Sequence, residues 1–185
     1  MGMHFKVVGG GPAGLYFGYL MKRSHPDYTV RVIEQNPAGA TYGFGVVLTG
    51  RALTFLKEGD PAVIQRLATR MESWSEQHIV HNETRIAIDG NSISAIARLS
   101  MLEWLQEICR ETGVELQFNC RFEAVTDHED CDVLVAADGS NSVVRDCYPL
   151  SFDTRVVDLQ NYYCWYGSDV PFPAATSASP KVSSG

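Results

Sequence analysis

H-F-K-V-V-G-G-G-P-A-G, residues 4–14, is the stretch whose reading decides the fold. Phe5, Val7 and Val8 read as a short buried strand, and Gly9, Gly11 and Gly14 follow it as G-x-G-x-x-G. Pro12 stands where a first helical residue would, and Ala13 to Leu20 continues as a helix. Gly9 allows a tight strand-to-helix turn, Gly11 lets backbone approach a pyrophosphate, and Gly14 lets the helix lie close on the sheet. The first amides of that helix, with its dipole, would then face phosphate oxygens. Gly18 lies one turn beyond Gly14 on the same face and extends the close contact.

The residues downstream strengthen this reading. A turn at Ser24-His25-Pro26-Asp27 leads into a second strand, Tyr28 to Ile33, which ends at Glu34. From Gly14 to Glu34 is 34 − 14 = 20 residues. At that place in a βαβ unit a carboxylate accepts hydrogen bonds from both hydroxyls of an adenosine ribose, and it repels a 2′-phosphate. The plainer alternative is a glycine-rich turn beside a surface glutamate. The strand–turn–helix–strand context favours a dinucleotide-binding segment.

The bulk properties narrow the class. A chain of 185 residues holds one full domain and the beginning of another. Its hydrophobic share of 45% and charged share of 20% are those of a soluble globular protein. A net charge of −7 and a pI near 5.2 argue against nucleic acid or an anionic membrane as partner. The five cysteines (Cys109, Cys120, Cys131, Cys147, Cys164) show no C-x-x-C pair and no zinc spacing, so they read as reduced thiols. The five histidines are scattered, and none pairs with a nucleophile or a metal set. The apolar N-terminus lacks a basic n-region and is interrupted by Gly9-Gly10-Gly11-Pro12, unlike a signal peptide. No stretch approaches the roughly 20 apolar residues of a membrane span. The expected location is the cytoplasm, with no metal, no membrane and no nucleic acid.

Further along, Gly39, Gly43 and Gly45 crowd a loop that leads into Val46-Val47-Leu48, where backbone turns sharply or passes near a ligand. Thr49 is placed to cap a helix over Arg51 to Leu56, and Asp60-Pro61 starts another with Val63, Ile64 and Leu67 on one face. Strands are expected at Trp74 to Val80 and Arg85 to Ile88, ending in a turn at Asp89-Gly90-Asn91. A long helix from Arg98 to Thr112 should turn Leu99, Leu102, Leu105 and Ile108 inward, with Gly113 as its C-cap. Strands at Val114 to Phe118 and Phe122 to Val125 follow, then a polar turn at Asp127 to Asp130. Val133 to Ala137 reads as a buried parallel strand with Asp138-Gly139 at its C-terminal end and a helix over Ser142 to Asp146. Ligands gather at the carboxyl ends of such strands, which places Asp138 and the motif glycines along one crevice. An Asp-Gly hairpin turn is the alternative, but no strand follows at once. Phe152 to Val157 and Asn161 to Tyr166 read as further strands, and the Ser/Pro/Ala-rich stretch from Gly167 onward as irregular.

Taken together, G-G-G-P-A-G with Glu34, A-D-G-S-N-S-V-V-R at Ala137 to Arg145, and Arg98 resemble the FAD-dependent aromatic hydroxylases related to p-hydroxybenzoate hydroxylase. G-F-G-V-V-L and Arg98-Leu99-x-x-Leu102 look most like the subgroup acting on salicylyl-CoA and aminobenzoyl-CoA thioesters and the violacein-pathway hydroxylases. The resemblance covers about Phe5 to Gly167. It implies an α/β, Rossmann-like FAD-binding fold with a parallel sheet over residues 1–150. An inserted hairpin would lie at about 73–90, the start of a substrate domain at 151–167, and a disordered tail at 168–185. It also implies that Gly9, Gly11, Ala13 and Gly14 hold the FAD pyrophosphate and Glu34 the adenosine ribose. Arg98 would contact the FAD phosphates or ribityl chain, and Asp138 with Gly139 would touch the FAD and serve NAD(P)H entry. Backbone at Gly45 and Val46 would approach the isoalloxazine ring. For Arg98 the plain alternative is a solvated arginine in a helix's first turn.

In such an enzyme NAD(P)H reduces the FAD and O2 supplies the oxygen that hydroxylates an aromatic substrate, so the cofactor carries the chemistry and no acid–base triad is needed. The expected partners are an aromatic small molecule, O2 and, as the candidate protein partner, a second copy of the chain in a homodimer. The family's third FAD element, a Gly-Asp followed by a small-residue helix start, is expected to be missing from this sequence together with most of the substrate domain. That implies a fragment or truncated form, or a partner segment on another chain. Two rivals stay open: another flavin enzyme on the same scaffold, such as a halogenase or alkene reductase, and a non-catalytic FAD- or ADP-binding module.

Overall fold

In a computed structural model of the protein, described over residues 2–123, 130–160, 170 and 173–179, the chain divides into two compact units. Its elements in order are β1 (His4–Val8), α1 (Pro12–Ser24), β2 (Thr29–Ile33), β3 (Gly45–Thr49), α2 (Gly50–Gly59), α3 (Pro61–Ala68) and β4 (Glu72–His81). There follow β5 (Thr84–Ala97), α4 (Arg98–Thr112), β6 (Glu115–Gln117), β7 (Val133–Ala136), α5 (Val143–Cys147), α6 (Pro149–Phe152) and β8 (Ala175–Ser179).

The first unit, Met1–Tyr42 with Met101–Tyr163, is built on a parallel sheet in the order β6-β2-β1-β7. Val8 is paired with Ile33 on one side and Ala136 on the other, so the three strands end at one level. Beyond those ends come Gly9, Glu34 and Ala137-Asp138. Side chains alternate across the sheet. Val7, Val30 and Val32 are buried, and α1 lies over their face, where Gly14 comes close to Val7 and Gly18 to Val30 and Val32. On the other face Val8 and Ile33 join Phe122 and Val144 in a second apolar cluster. Nearer the strand starts that face turns ionic: Arg31 reaches Glu115 at 2.9 Å and Asp130 at 3.1 Å, and Lys6 pairs with Asp130.

Helix α4 has the expected bounds and ends at Gly113, whose φ of +86° is the left-handed cap that favours glycine. Its buried face is Met101, Leu102, Trp104, Leu105, Ile108 and Cys109. Leu99, expected inward, is 36% exposed. The burial of α4 begins at Met101, two residues later than the apolar repeat suggests. The Cys109 thiol donates to the Leu15 carbonyl at 3.1 Å and ties α4 to α1.

The second unit, Gly43–Ser100 with Cys164–Gly185, carries the sheet β3-β5-β4-β8. β4 and β5 form a hairpin whose central residues, Asn82 and Glu83, both have positive φ (47° and 66°), as a two-residue turn matching the strand twist requires. The Asp89-Gly90-Asn91 turn is a correction: β5 runs through it to Ala97. Trp74 pairs with Ile93 and Glu76 with Asp89, so Ser75 alone faces three residues, Gly90 to Ser92. The turn-forming sequence is used as a bulge, with Gly90 at φ +76°.

Thr49 caps α2 by accepting from the Ala52 N–H at 3.3 Å, and the buried Asp60 caps α3 by accepting from the Ala62 N–H at 2.9 Å. Two further expectations differ from the structure. Phe152 ends α6 and residues 153–160 form no strand, whereas Ala175–Ser179, in the stretch read as irregular, is a strand parallel to β4. The strand expected at Asn161 to Tyr166 lies outside the described residues, as do Ala124 and Val125 of the strand expected at Phe122 to Val125.

Candidate functional site

The turn from β1 into α1 is tight enough to dictate its residues. Gly9 has φ +109°, and a Cβ there would lie 2.3 Å from the Ala137 carbonyl oxygen. At Gly14 a Cβ would lie 2.1 Å from the Gly9 carbonyl oxygen, so the helix start is pressed onto the strand end. Gly11 differs in kind. Its φ is an ordinary −75°, and a Cβ would meet nothing within 4 Å, so the space above this backbone is open. Gly11 is the N-cap of α1, no side chain caps that helix, and Pro12 opens it. Ala13 and Gly14 follow in a first turn whose amides have no intrahelical acceptor. An uncapped, positively polarised helix end under open space suits an anionic phosphate ligand.

Glu34 leaves the end of β2 and turns its carboxylate toward this loop. Oε2 accepts the Gly10 N–H at 2.8 Å, and Oε1 accepts both the backbone N–H and the side-chain amide of Asn36, at 2.9 and 2.6 Å. A Cβ at residue 10 would stand 2.9 Å from the Glu34 Cβ, so Gly10 is what allows the approach. Gly10, Asn36 and Tyr42, whose hydroxyl donates to Asn36 Oδ1 at 3.1 Å, were not singled out by sequence. The one signal for them is position, next to Gly9 or just after Glu34.

The Asp138 backbone abuts the same turn: its nitrogen would be 2.9 Å from a Cβ at Gly9. Its carboxylate is occupied locally. Oδ1 accepts the Ser142 hydroxyl at 2.6 Å and Oδ2 the Val144 N–H at 3.2 Å, while Ser142 Oγ accepts the Arg145 N–H at 3.0 Å. Asp138 and Ser142 thus cap α5 together, and Gly139 between them has φ +87°.

The structure therefore brings Gly9, Gly11, Ala13, Gly14, Glu34, Asp138 and Gly139 to one end of the parallel sheet. Gly45, Val46 and Arg98 lie in the second unit. There Gly45 pairs with Ala97 and Val46 with Ile96, and the Arg98 N–H donates to the Phe44 carbonyl at 3.1 Å. The Arg98 Nε is buried with no hydrogen-bond partner among the described residues, a donor suited to an acceptor from outside the chain. The chain's single Gly-Asp pair, Gly59-Asp60, is the joint between α2 and α3 and contributes the α3 cap described above. Among the described residues no group of three or more His, Cys, Asp or Glu could hold a metal, and no helix is long and apolar enough to cross a membrane.

Residues 7–57 match the NAD(P)-binding Rossmann-like domain family. The chain is 32% identical to salicyloyl-CoA 5-hydroxylase of a Streptomyces species, over 94% of this chain and 34% of that protein. It is 30% identical to 3-hydroxy-4-methyl-anthranilyl-(aryl-carrier protein) 5-monooxygenase of Streptosporangium sibiricum, over 90% and 47%. With protodeoxyviolaceinate monooxygenase of Chromobacterium violaceum the identity is 28%, over 92% and 46%. The chain thus spans about a third to a half of the length of these relatives. Among solved structures, 2-methyl-3-hydroxypyridine-5-carboxylic acid oxygenase superposes with a TM-score of 0.68 at 21% identity, over 80% of this chain and 42% of that one. Pseudomonas aeruginosa PqsL does so with a TM-score of 0.65 at 18% identity, over 88% and 48%. These two speak for the fold alone.

Proposed function

We propose that this chain is the FAD-binding part of an NAD(P)H-dependent aromatic hydroxylase of the flavin monooxygenase family. The reading is supported by the match of residues 7–57 to the NAD(P)-binding Rossmann-like domain family and by the similarity to named hydroxylases and monooxygenases. The observation that carries the reading is the pairing of an open, uncapped Gly11 turn with a Glu34 carboxylate directed at the same loop. Gly9 and Gly14 shape the turn, and the amides after Gly11, including that of Ala13, hold the pyrophosphate. Glu34 takes the adenosine ribose. The Asp138-Gly139 loop, stiffened by Ser142, closes the crevice beside Gly9. In the second unit the unpartnered Arg98 Nε is the donor for FAD phosphate or ribityl oxygens, with Gly45 and Val46 as backbone for the ring. When bound, the flavin would supply the redox chemistry with O2; these residues bind it, orient it and exclude water.

The names of the relatives support an aromatic substrate, including one carried as an acyl-CoA thioester. The proposal's scope is the segment expected to bind FAD, residues 1–150. Purifying the 185-residue chain and recording its visible spectrum tests it directly. A yellow protein that loses its colour on gel filtration once Glu34 is changed to Ala supports the reading. A colourless chain that cannot be loaded with FAD overturns it, and one that takes up only ADP favours a nucleotide-binding module without turnover.

A further inference from the structure

We propose that Asn36 is a positioning residue that locks the Glu34 carboxylate and leaves it one acceptor site, on Oε2, for a single ribose hydroxyl. The inference rests on the nucleotide reading above and narrows it. A carboxylate has about four lone-pair sites. Oε1 receives two donors, both from Asn36, at 2.9 and 2.6 Å, and Oε2 receives the Gly10 N–H at 2.8 Å. One site is left, on the oxygen nearest the glycine turn. Engagement of both ribose hydroxyls, as the sequence suggested, would break one of these three bonds.

The lock is itself held. An ionised carboxylate only accepts, so the Asn36 side chain must turn its NH2 to Glu34 and its Oδ1 outward, where the Tyr42 hydroxyl donates to it at 3.1 Å. The Asn36 carbonyl accepts the Asn119 N–H at 3.2 Å, and the Glu34 carbonyl accepts the Cys120 N–H at 2.9 Å, fixing the loop to the chain beyond β6. Replacing Asn36 with Ala would leave the backbone contact but free the carboxylate to rotate.

Calorimetric titration of the 185-residue chain with ADP, 2′-deoxy-ADP and 3′-deoxy-ADP tests this. For the wild type, one analogue should bind about tenfold more weakly than ADP, the loss of one charge-assisted hydrogen bond, and the other within about twofold. Asn36→Ala should bind ADP about fivefold more weakly, with the weaker analogue unchanged, so that discrimination shrinks. In Asn36→Asp a second carboxylate faces Glu34. Its ADP affinity relative to wild type at the same pH should be poor at pH 8 and recover toward pH 5, where a shared proton restores a donor. Equal weakening of both analogues in the wild type overturns the single-hydroxyl site. Wild-type discrimination in Asn36→Ala, lost only in Glu34→Gln, overturns the role of Asn36 while the ribose reading stands. A wild type indifferent to both hydroxyls removes the ribose reading itself, and the positioning role with it.

Discussion

A Cβ on Gly14 would stand 2.1 Å from the carbonyl oxygen of Gly9, whereas one on Gly11 would touch nothing. The two glycines therefore do separate work, and Ala separates them. Gly14→Ala must push α1 off the sheet, an overpacking cost of about 1–3 kcal/mol, or a Tm lower by roughly 2–4 °C for each kcal/mol. Gly11→Ala should leave the melt within about 0.5 kcal/mol of wild type yet weaken ADP binding at least about tenfold by filling the phosphate space. Melting curves and titrations on the same two variants decide it. Equal losses of stability in both would end the distinction.

Asp138 and Ser142 cap α5 as one network, so their contributions should not add. Ser142→Ala and Asp138→Ala should each cost about 0.5–2 kcal/mol, and the double variant less than their sum. Urea melts of the four proteins close the cycle. Strict additivity would show that the two side chains act independently.

The hydrogen bond from Lys6, with the charge of Arg31, holds the Asp130 carboxyl below the usual carboxylate range. A depressed folded-state pKa gives stability that is complete above the unfolded value of about 3.9. That stability is lost as pH falls through the lower folded value. Asp130→Asn should therefore flatten the decline in Tm below about pH 4, and high salt should shrink the wild-type effect at neutral pH. An unchanged acid slope in the variant would show that the pair carries no pH-dependent stability.

Burial pushes the Cys109 thiol up to about 12, against a smaller lowering by the backbone N–H of Tyr19. At pH 8 it should resist iodoacetamide in the folded chain and react only after denaturation, which peptide mass spectrometry can follow. Rapid alkylation of native protein at Cys109 would mean that α4 opens from α1.

The β1–α1–β2 unit was legible in the sequence because its signals are local: a glycine at each constrained point, a proline at the helix start, an acid after the second strand. The caps at Thr49, Asp60 and Gly113 were readable for the same reason. What escaped depends on partners distant in sequence. Asp89-Gly90-Asn91 has turn chemistry, yet β4 continues opposite it and the pairing persists. Ala175–Ser179 has little strand propensity of its own and becomes a strand by pairing with Gln77–His81. Phe152 to Val157 has the propensity but no partner strand among the described residues. At the candidate site the glycines and Glu34 could be read, but the hold of Asn36 on Glu34 could not, because a polar loop residue looks the same whether it faces water or a carboxylate.

The bulge opposite Ser75 has an arithmetic consequence. Three residues against one is a surplus of two, and two is the period of a strand. The ribbon thus gains length on one edge without inverting its faces, and Trp74 and Glu76 stay on a common side across the irregularity. A single added residue would have exchanged inside for outside along everything beyond it. The hairpin tip between Glu76 and Asp89 is for that reason a region where paired insertions or deletions can be accommodated while the Trp74–Ile93 base keeps its alignment.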